Sequence, residues 1–133
     1  MTSEKLSVAS LSAIKSSPLK VMKVTRNIKG LRVAQALKLL QFSNLKLAAV
    51  VRALVYSAMS NAENNHNLDV DNLYIKDVDV GRAFALKRFA ARGRGKSSRI
   101  LKTFSNIRVI LAEKPAEKSV EKKAVKKATK GSN

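Results

Sequence analysis

The sequence predicts an α+β fold with the element order β-α-α-α-β-β, in which the last two strands form one long protruding β-hairpin. Three observations carry this prediction. Apolar residues alternate with polar ones near the start of the chain and again after residue 72, as in half-buried strands, whereas between residues 18 and 63 they recur at three and four, as in helices packed on one face. Two β-branched alternations, at 78–80 and 107–111, are separated by about 25 residues that carry cations, two glycines near their middle and no acid.

The elements follow in order. Across residues 5–14, Leu6 and Val8 are two apart, then Ala9, Leu11 and Ala13 are two apart, a change of phase that predicts a strand with a bulge. Ser17-Pro18 predicts a helix start, because a serine side chain can accept an orphan backbone N–H and proline at the first helical position loses no hydrogen bond. Gly30 supplies the matching stop. Inside that helix Val21, Val24, Thr25 and Ile28 share one face, while Lys20, Lys23, Arg26 and Lys29 spread over the remainder. Val33, Ala36, Leu37 and Leu40 predict a second helix to about Gln41, and Asn44 is placed as the cap of a third. The third helix runs to about Glu63. Its apolar residues, Leu47, Ala48, Val51, Leu54, Val55, Ala58, Met59 and Ala62, cover too wide a surface for one-sided packing, which makes it the central element of the core.

The Asn- and Asp-rich stretch 64–72 ends that helix, and Leu73, Ile75, Val78 and Val80 then predict a strand. Ile107, Val109 and Leu111 predict its partner. From Glu113 onward Lys, Ala and Glu dominate and the only branched hydrophobes are two valines, so residues 113–133 are expected to be a disordered basic tail on a single domain of residues 1–112.

Charge narrows the partner. The 133-residue chain has 27 Lys and Arg against 9 Asp and Glu, a formal charge of +18, which points to a polyanion as the partner. Half of that excess lies in residues 82–112, where Arg82, Lys87, Arg88, Arg92, Arg94, Lys96, Arg99, Lys102 and Arg108 occur without an acid. The two glycines of Arg92-Gly93-Arg94-Gly95-Lys96 place the tip of a hairpin, about 82–102, near the middle of this segment. Arms of about ten residues at roughly 3.3 Å each would reach on the order of 30 Å beyond the domain. Such a ribbon is marginal in water and its arms repel, so its shape is expected to be fixed by phosphates along it. Folded RNA suits it better than duplex DNA, and Phe84, Leu86 and Phe89 among the cations suit base stacking. Phe84 and Phe89 are equally candidates for packing back on the domain. Arginine outnumbers lysine in the hairpin but not in the tail, which fits forked, directional phosphate bonding in the former and diffuse attraction in the latter.

Other chemistry is poorly supplied. Cysteine is absent, which excludes disulfides, thiolate catalysis and the usual zinc sites and fits an intracellular setting. A single histidine, His66, at a helix end cannot make a catalytic pair. Asp69, Asp71, Asp77 and Asp79 alternate, and two could share a strand face and hold Mg²⁺; a solvated edge that repels phosphate is the other reading. No run approaches 18 apolar residues, so neither membrane insertion nor export is indicated. An enzyme, a cofactor and a metal site are therefore not expected. An architectural DNA-bending protein with basic ribbon arms is the rival class, but such arms carry an apolar wedge at the tip and residues 92–96 have none. A membrane-surface helix at 116–130 lacks bulky hydrophobes.

At this level of detail the sequence resembles the large-subunit ribosomal protein twenty-two family of bacterial type, over about residues 12–111. The matching pieces are Ser17-Pro18 with Lys20, Gly30, Val33 to Leu40 with Ala36-Leu37, Ser57-Ala58, Asn61-Ala62-Glu63, Leu86-Lys87-Arg88, and Arg92 through Lys96 followed by Arg99-Ile100. Gly81-Arg82-Ala83-Phe84 and Ala90-Ala91 depart from the family pattern, which has Asp-Glu-Gly-Pro and Arg-Pro there. The resemblance implies a three-stranded antiparallel sheet packed on helices. It implies a non-enzymatic constituent of the large subunit of a cytoplasmic bacterial ribosome, or of an organellar one, that supports subunit assembly and is not a homo-oligomer. Its partners would be large-subunit ribosomal RNA, neighbouring ribosomal proteins and the nascent peptide in transit. The residues expected to meet RNA are Lys15, Ser17, Lys20, Lys23, Arg26 and Lys29 on the body, and Arg82, Lys87, Arg88, Arg92, Arg94, Lys96, Arg99 and Lys102 on the hairpin. Ala90, Ala91, Arg92, Gly93, Arg94, Gly95 and Lys96 are expected to line the exit tunnel at the hairpin tip.

Overall fold

A computed structural model describes residues 5–113. Its elements are β1 (Leu6–Ile14), α1 (Pro18–Thr25), α2 (Val33–Gln41), α3 (Lys46–His66), a 3₁₀ turn (Val70–Asn72), β2 (Leu73–Ala91) and β3 (Ser97–Glu113). The expected order β-α-α-α-β-β and the α+β class are what the chain adopts. The sheet is antiparallel in the order β1-β3-β2, so the last strand is the central one. The tail expected from Glu113 onward lies outside the described residues, apart from Glu113 itself, which pairs with Leu73 at the end of β3.

One face of the sheet carries the helices. Because strand side chains alternate, Ser105, Ile107, Val109 and Leu111 point the same way, and all four are buried. Leu73 and Ile75 of β2 and Ser7 and Ala9 of β1 join them. Against this layer α3 sets Ala48, Val51, Val55, Ala58 and Ala62, all essentially inaccessible, and packs on β1, β3, α1 and α2. It is the central helix that the width of its apolar surface predicted; Leu47 and Met59, at the margins, are half-buried. Small residues at 48, 58 and 62 let the helix lie close to the strands, and the Ser7 hydroxyl donates to the Ala58 carbonyl at 2.9 Å, so the hydroxyl buried with that contact is satisfied.

Several boundaries differ from those the sequence suggested. α1 is only eight residues long, because after Thr25 the chain continues in turns to Gly30, whose φ of +85° is the left-handed conformation expected of a stop. Ile28 stays fully buried in those turns. The Gly30 N–H then donates to the Ile75 carbonyl and the Ile75 N–H to the Leu31 carbonyl, both at 2.9 Å, so the segment after α1 adds itself to the edge of β2. Ser17 occupies the N-cap position but its side chain makes no capping bond. The cap of α3 is Leu45 rather than Asn44, with the Leu45 N–H held by the Ser43 hydroxyl at 3.3 Å, and the helix runs on to His66, ending at Asn67 in the left-handed region (φ +50°). Asparagine tolerates that conformation well, which is why the polar cluster delays the stop by three residues.

The bulge expected in β1 falls between Leu11 and Ile14, where Ala13 has φ +58° and its N–H donates to Asn106 Oδ1 at 3.0 Å. β2 has two irregularities, at Lys76 and at Ala83. No helix of the described residues is long and apolar enough to cross a membrane.

Candidate nucleic-acid interface

β2 and β3 pair from Leu73–Glu113 at the base to Ala91–Ser97 at the far end, with one-residue bulges at Lys76 and Ala83, so the predicted hairpin is formed and is continuous with the sheet. Its root is set by burial: Ser105 is the last buried residue of β3, and none is buried between residues 76 and 104. The ribbon beyond that root, about ten residues an arm, extends on the order of 30 Å at ~3.3 Å per residue.

The ribbon is turned by residues 92–96. The Arg92 N–H donates to the Lys96 carbonyl at 2.7 Å across a three-residue tip, Gly93–Gly95, in which Arg94 (φ +61°) and Gly95 (φ +71°) are left-handed. The Arg92 guanidinium also reaches the Ser98 hydroxyl at 3.2 Å.

Centring the turn on Arg94 fixes which residues face each other, and the result answers the repulsion expected between the arms. Lys102 lies opposite Leu86, Lys87 opposite Leu101, Arg88 opposite Ile100, and Arg99 opposite Phe89. Every paired cation of the ribbon beyond its root meets an uncharged partner. A slip of one residue would bring Arg88 against Arg99 in one direction and Lys87 against Lys102 in the other, and like charges in direct opposition destabilise a strand pair. The register therefore spreads the cations over both faces, with Arg88 and Lys102 on one and Arg82, Lys87 and Arg99 on the other.

Neither candidate aromatic packs back on the domain. Phe84 stacks on Phe104 directly across the ladder, with ring centroids 4.5 Å apart and planes 18° from parallel. Phe104 was missed in the sequence because only the register reveals it as a partner. Phe89 is 73% exposed, a flat apolar surface beside guanidinium groups.

On the body the expected cations divide into two groups. Lys15, Lys20 and Lys23 converge on one cleft, together with Lys46 of α3, which sequence reasoning did not single out because it belongs to a different helix. Arg26 lines a separate shallow depression with Lys29. The Lys29 ammonium is held by Asp77 at 2.8 Å, and their hydrogen bond raises the lysine pKa and lowers that of the carboxyl. Asp79 likewise takes the Arg108 guanidinium at 2.7 Å. Asp69 accepts hydrogen bonds from the Asp71 N–H at 3.2 Å and from Asn72 Nδ2 at 2.9 Å, holding the 3₁₀ turn. The alternating acids thus serve as ion-pair partners and turn formers at the root, leaving the ribbon beyond uniformly cationic. Among the described residues no group of three metal-ligating side chains converges.

A helical body on one face of a three-stranded sheet, with an acid-free ribbon continuing two of its strands, defines an α+β protein built around a long cationic β-ribbon. The model of the family Ribosomal protein L22p/L17e matches residues 9–112, which include the body and the whole ribbon. The chain belongs to that family, whose members are ribosomal constituents and not enzymes. It is 46% identical over 111 residues to the large ribosomal subunit protein uL22 of Rhizorhabdus wittichii, covering 84% of this chain and 87% of that one. It is 47% identical over 107 residues to its counterpart in Phenylobacterium zucineum (80% and 85% covered), and 50% identical over 97 residues to that of a Methylobacterium species (73% and 76% covered).

Proposed function

We propose that the chain is a structural constituent of the large subunit of the cytoplasmic ribosome, binding large-subunit ribosomal RNA, supporting subunit assembly and sending its ribbon along the wall of the nascent-peptide exit tunnel. The observation that carries this reading is a paired ribbon of more than twenty residues with no acid, no buried residue and cations on both faces. Such a ribbon is suited to phosphates on more than one side, as in the interior of a folded RNA, whereas one groove of a duplex would engage one side. The tip adds only glycines, alanines and cations at 90–96, small enough for RNA backbone to approach and for a peptide to slide past. Neighbouring ribosomal proteins and the nascent peptide complete the set of partners.

The test compares binding of wild type and the Arg92→Ala/Arg94→Ala/Lys96→Ala variant to large-subunit ribosomal RNA fragments and to duplex DNA at matched salt. Each lost phosphate contact flattens the logarithmic salt dependence by roughly 0.7 to 0.9. The variant is expected to bind RNA at least tenfold more weakly, with its melting temperature within about 2 °C of wild type because none of the three residues is buried. Equal affinity of the wild type for RNA and duplex DNA would contradict the ribosomal reading.

A further inference from the structure

The β1–α1 turn passes the start of α3, and between them lies a cleft of about 450 Å³. Lys15, Lys20, Lys23 and Lys46 rim it, and Val24, Leu45 and Leu47 supply an apolar floor. No acid lines the cleft, and among the described residues none of the four lysines has an acidic partner. Four ammonium groups around one opening without an acid make it a place of positive potential.

The start of α3 reinforces the same preference. The first turn of α3, whose Leu45, Lys46 and Leu47 line the cleft, carries no acid, so no carboxylate offsets the positive end of the helix dipole there.

Size and floor then select among anions. A volume within the roughly 300–1,000 Å³ of small-molecule sites is several times what one phosphate group fills, and an apolar floor gives a bare phosphate nothing to bind. A nucleotide uses both parts. Bases splayed from RNA loops are commonly seated on apolar or flat surfaces while their phosphates meet cations.

We propose that this cleft holds a single nucleotide unit extruded from an RNA loop, its phosphate on the lysine rim and its base on Val24, Leu45 and Leu47. The proposal rests on the reading that the chain binds ribosomal RNA. The cleft is preformed and tied to the ribbon: the Ser16 N–H donates to the Ile14 carbonyl at 2.8 Å, and the Ser16 carbonyl accepts from the buried Ser105 hydroxyl at 2.5 Å, at the ribbon's root. A nucleotide in the cleft and RNA along the ribbon are then held at a fixed separation.

The experiment follows methyl and amide resonances of the full chain during titration with sodium phosphate, uridine monophosphate and a stem-loop of large-subunit ribosomal RNA. The Leu45 and Leu47 methyls are expected to shift with the mononucleotide and with the stem-loop, but not with phosphate. Lys46→Ala and Leu45→Ala, both at exposed positions, are expected to weaken the stem-loop's effect at the cleft about tenfold without changing the melting temperature. Equal shifts with phosphate and mononucleotide would make the cleft a bare phosphate site and overturn the proposal. So would shifts with the mononucleotide alone, which would mark a free-nucleotide site. If the RNA moves the amides of residues 92–96 but leaves the cleft silent, the cleft proposal fails and the ribosomal reading stands. If the RNA moves neither, both fail.

Discussion

Gly30 sits at φ +85° with nothing within 4 Å of where a Cβ would stand, so only the backbone conformation demands glycine there. A side chain in the left-handed region costs about 1–2 kcal/mol, and Gly30→Ala is expected to lower unfolding free energy by that amount in denaturant titration; a change below a few tenths would show that the turn is not fixed. The Lys29–Asp77 pair makes a prediction about pH. Asp77 has its pKa lowered, first by the hydrogen bond from Lys29 and then by that from the Val78 N–H, so its contribution is present above the ordinary aspartate range and is lost as pH falls through the lowered folded value. Lys29 has its pKa raised, so its contribution is present below the ordinary lysine range and is lost as pH rises through the raised folded value. Both groups are exposed, so the effect is small and screened by salt. The melting-temperature difference between wild type and Asp77→Asn should be slightly positive at neutral pH, vanish in strong acid, and shrink to the share held by the Val78 N–H once Lys29 has lost its proton. A difference that persists in strong acid would assign the effect to something other than the pair.

The ribbon is the element whose stability is most delicately set. A two-stranded hairpin is marginal by itself, and here the arms carry a like charge, so the register that keeps cations apart decides whether they pair. Leu101→Lys would set a second ammonium directly opposite Lys87, at a cost of roughly 0.2–1 kcal/mol confined to the ribbon. Faster amide exchange around residues 85–103 with an unchanged body is the expected outcome, and unchanged exchange would mean that opposition of charge does not govern the pairing. The hairpin and its tip were legible from composition: two glycines between cations, with no acid near them. The register was not, because bulges at Lys76 and Ala83 each shift the pairing by one, so counting outward from the buried strands gives the wrong partners. Counting back from the turn and rejecting registers that oppose cations gives the right ones. The α3 boundaries were blurred for a similar local reason, since Asn44 and Asn67 both suit helix ends and only tertiary packing decides which residue caps and which extends.

At the scale of the whole molecule, β3 belongs to body and ribbon at once. It is the central strand, paired with β1 along its C-terminal half and with β2 along its full length, so the ribbon is a direct continuation of the sheet's middle strand. Since no residue between 76 and 104 is buried, replacing 84–104 by a short turn should leave the core intact. The melting temperature is expected to shift by no more than a few degrees while affinity for large-subunit ribosomal RNA falls at least tenfold. Loss of cooperative unfolding in that variant would show that the ribbon is part of the folding unit.

Residue order by itself determined the element sequence, the apolar face of α1 built on Val21 and Val24, the burial of α3 and the cationic ribbon. These are consequences of periodicity, charge and turn chemistry, which are local properties. Tertiary structure alone decided that β3 lies between β1 and β2, that Phe84 meets Phe104, that Lys29 is taken by Asp77, and that Lys46 joins Lys15, Lys20 and Lys23 around one cleft. Each of those depends on which distant segments the packing of one shared core brings together, and a linear pattern holds no measure of that distance.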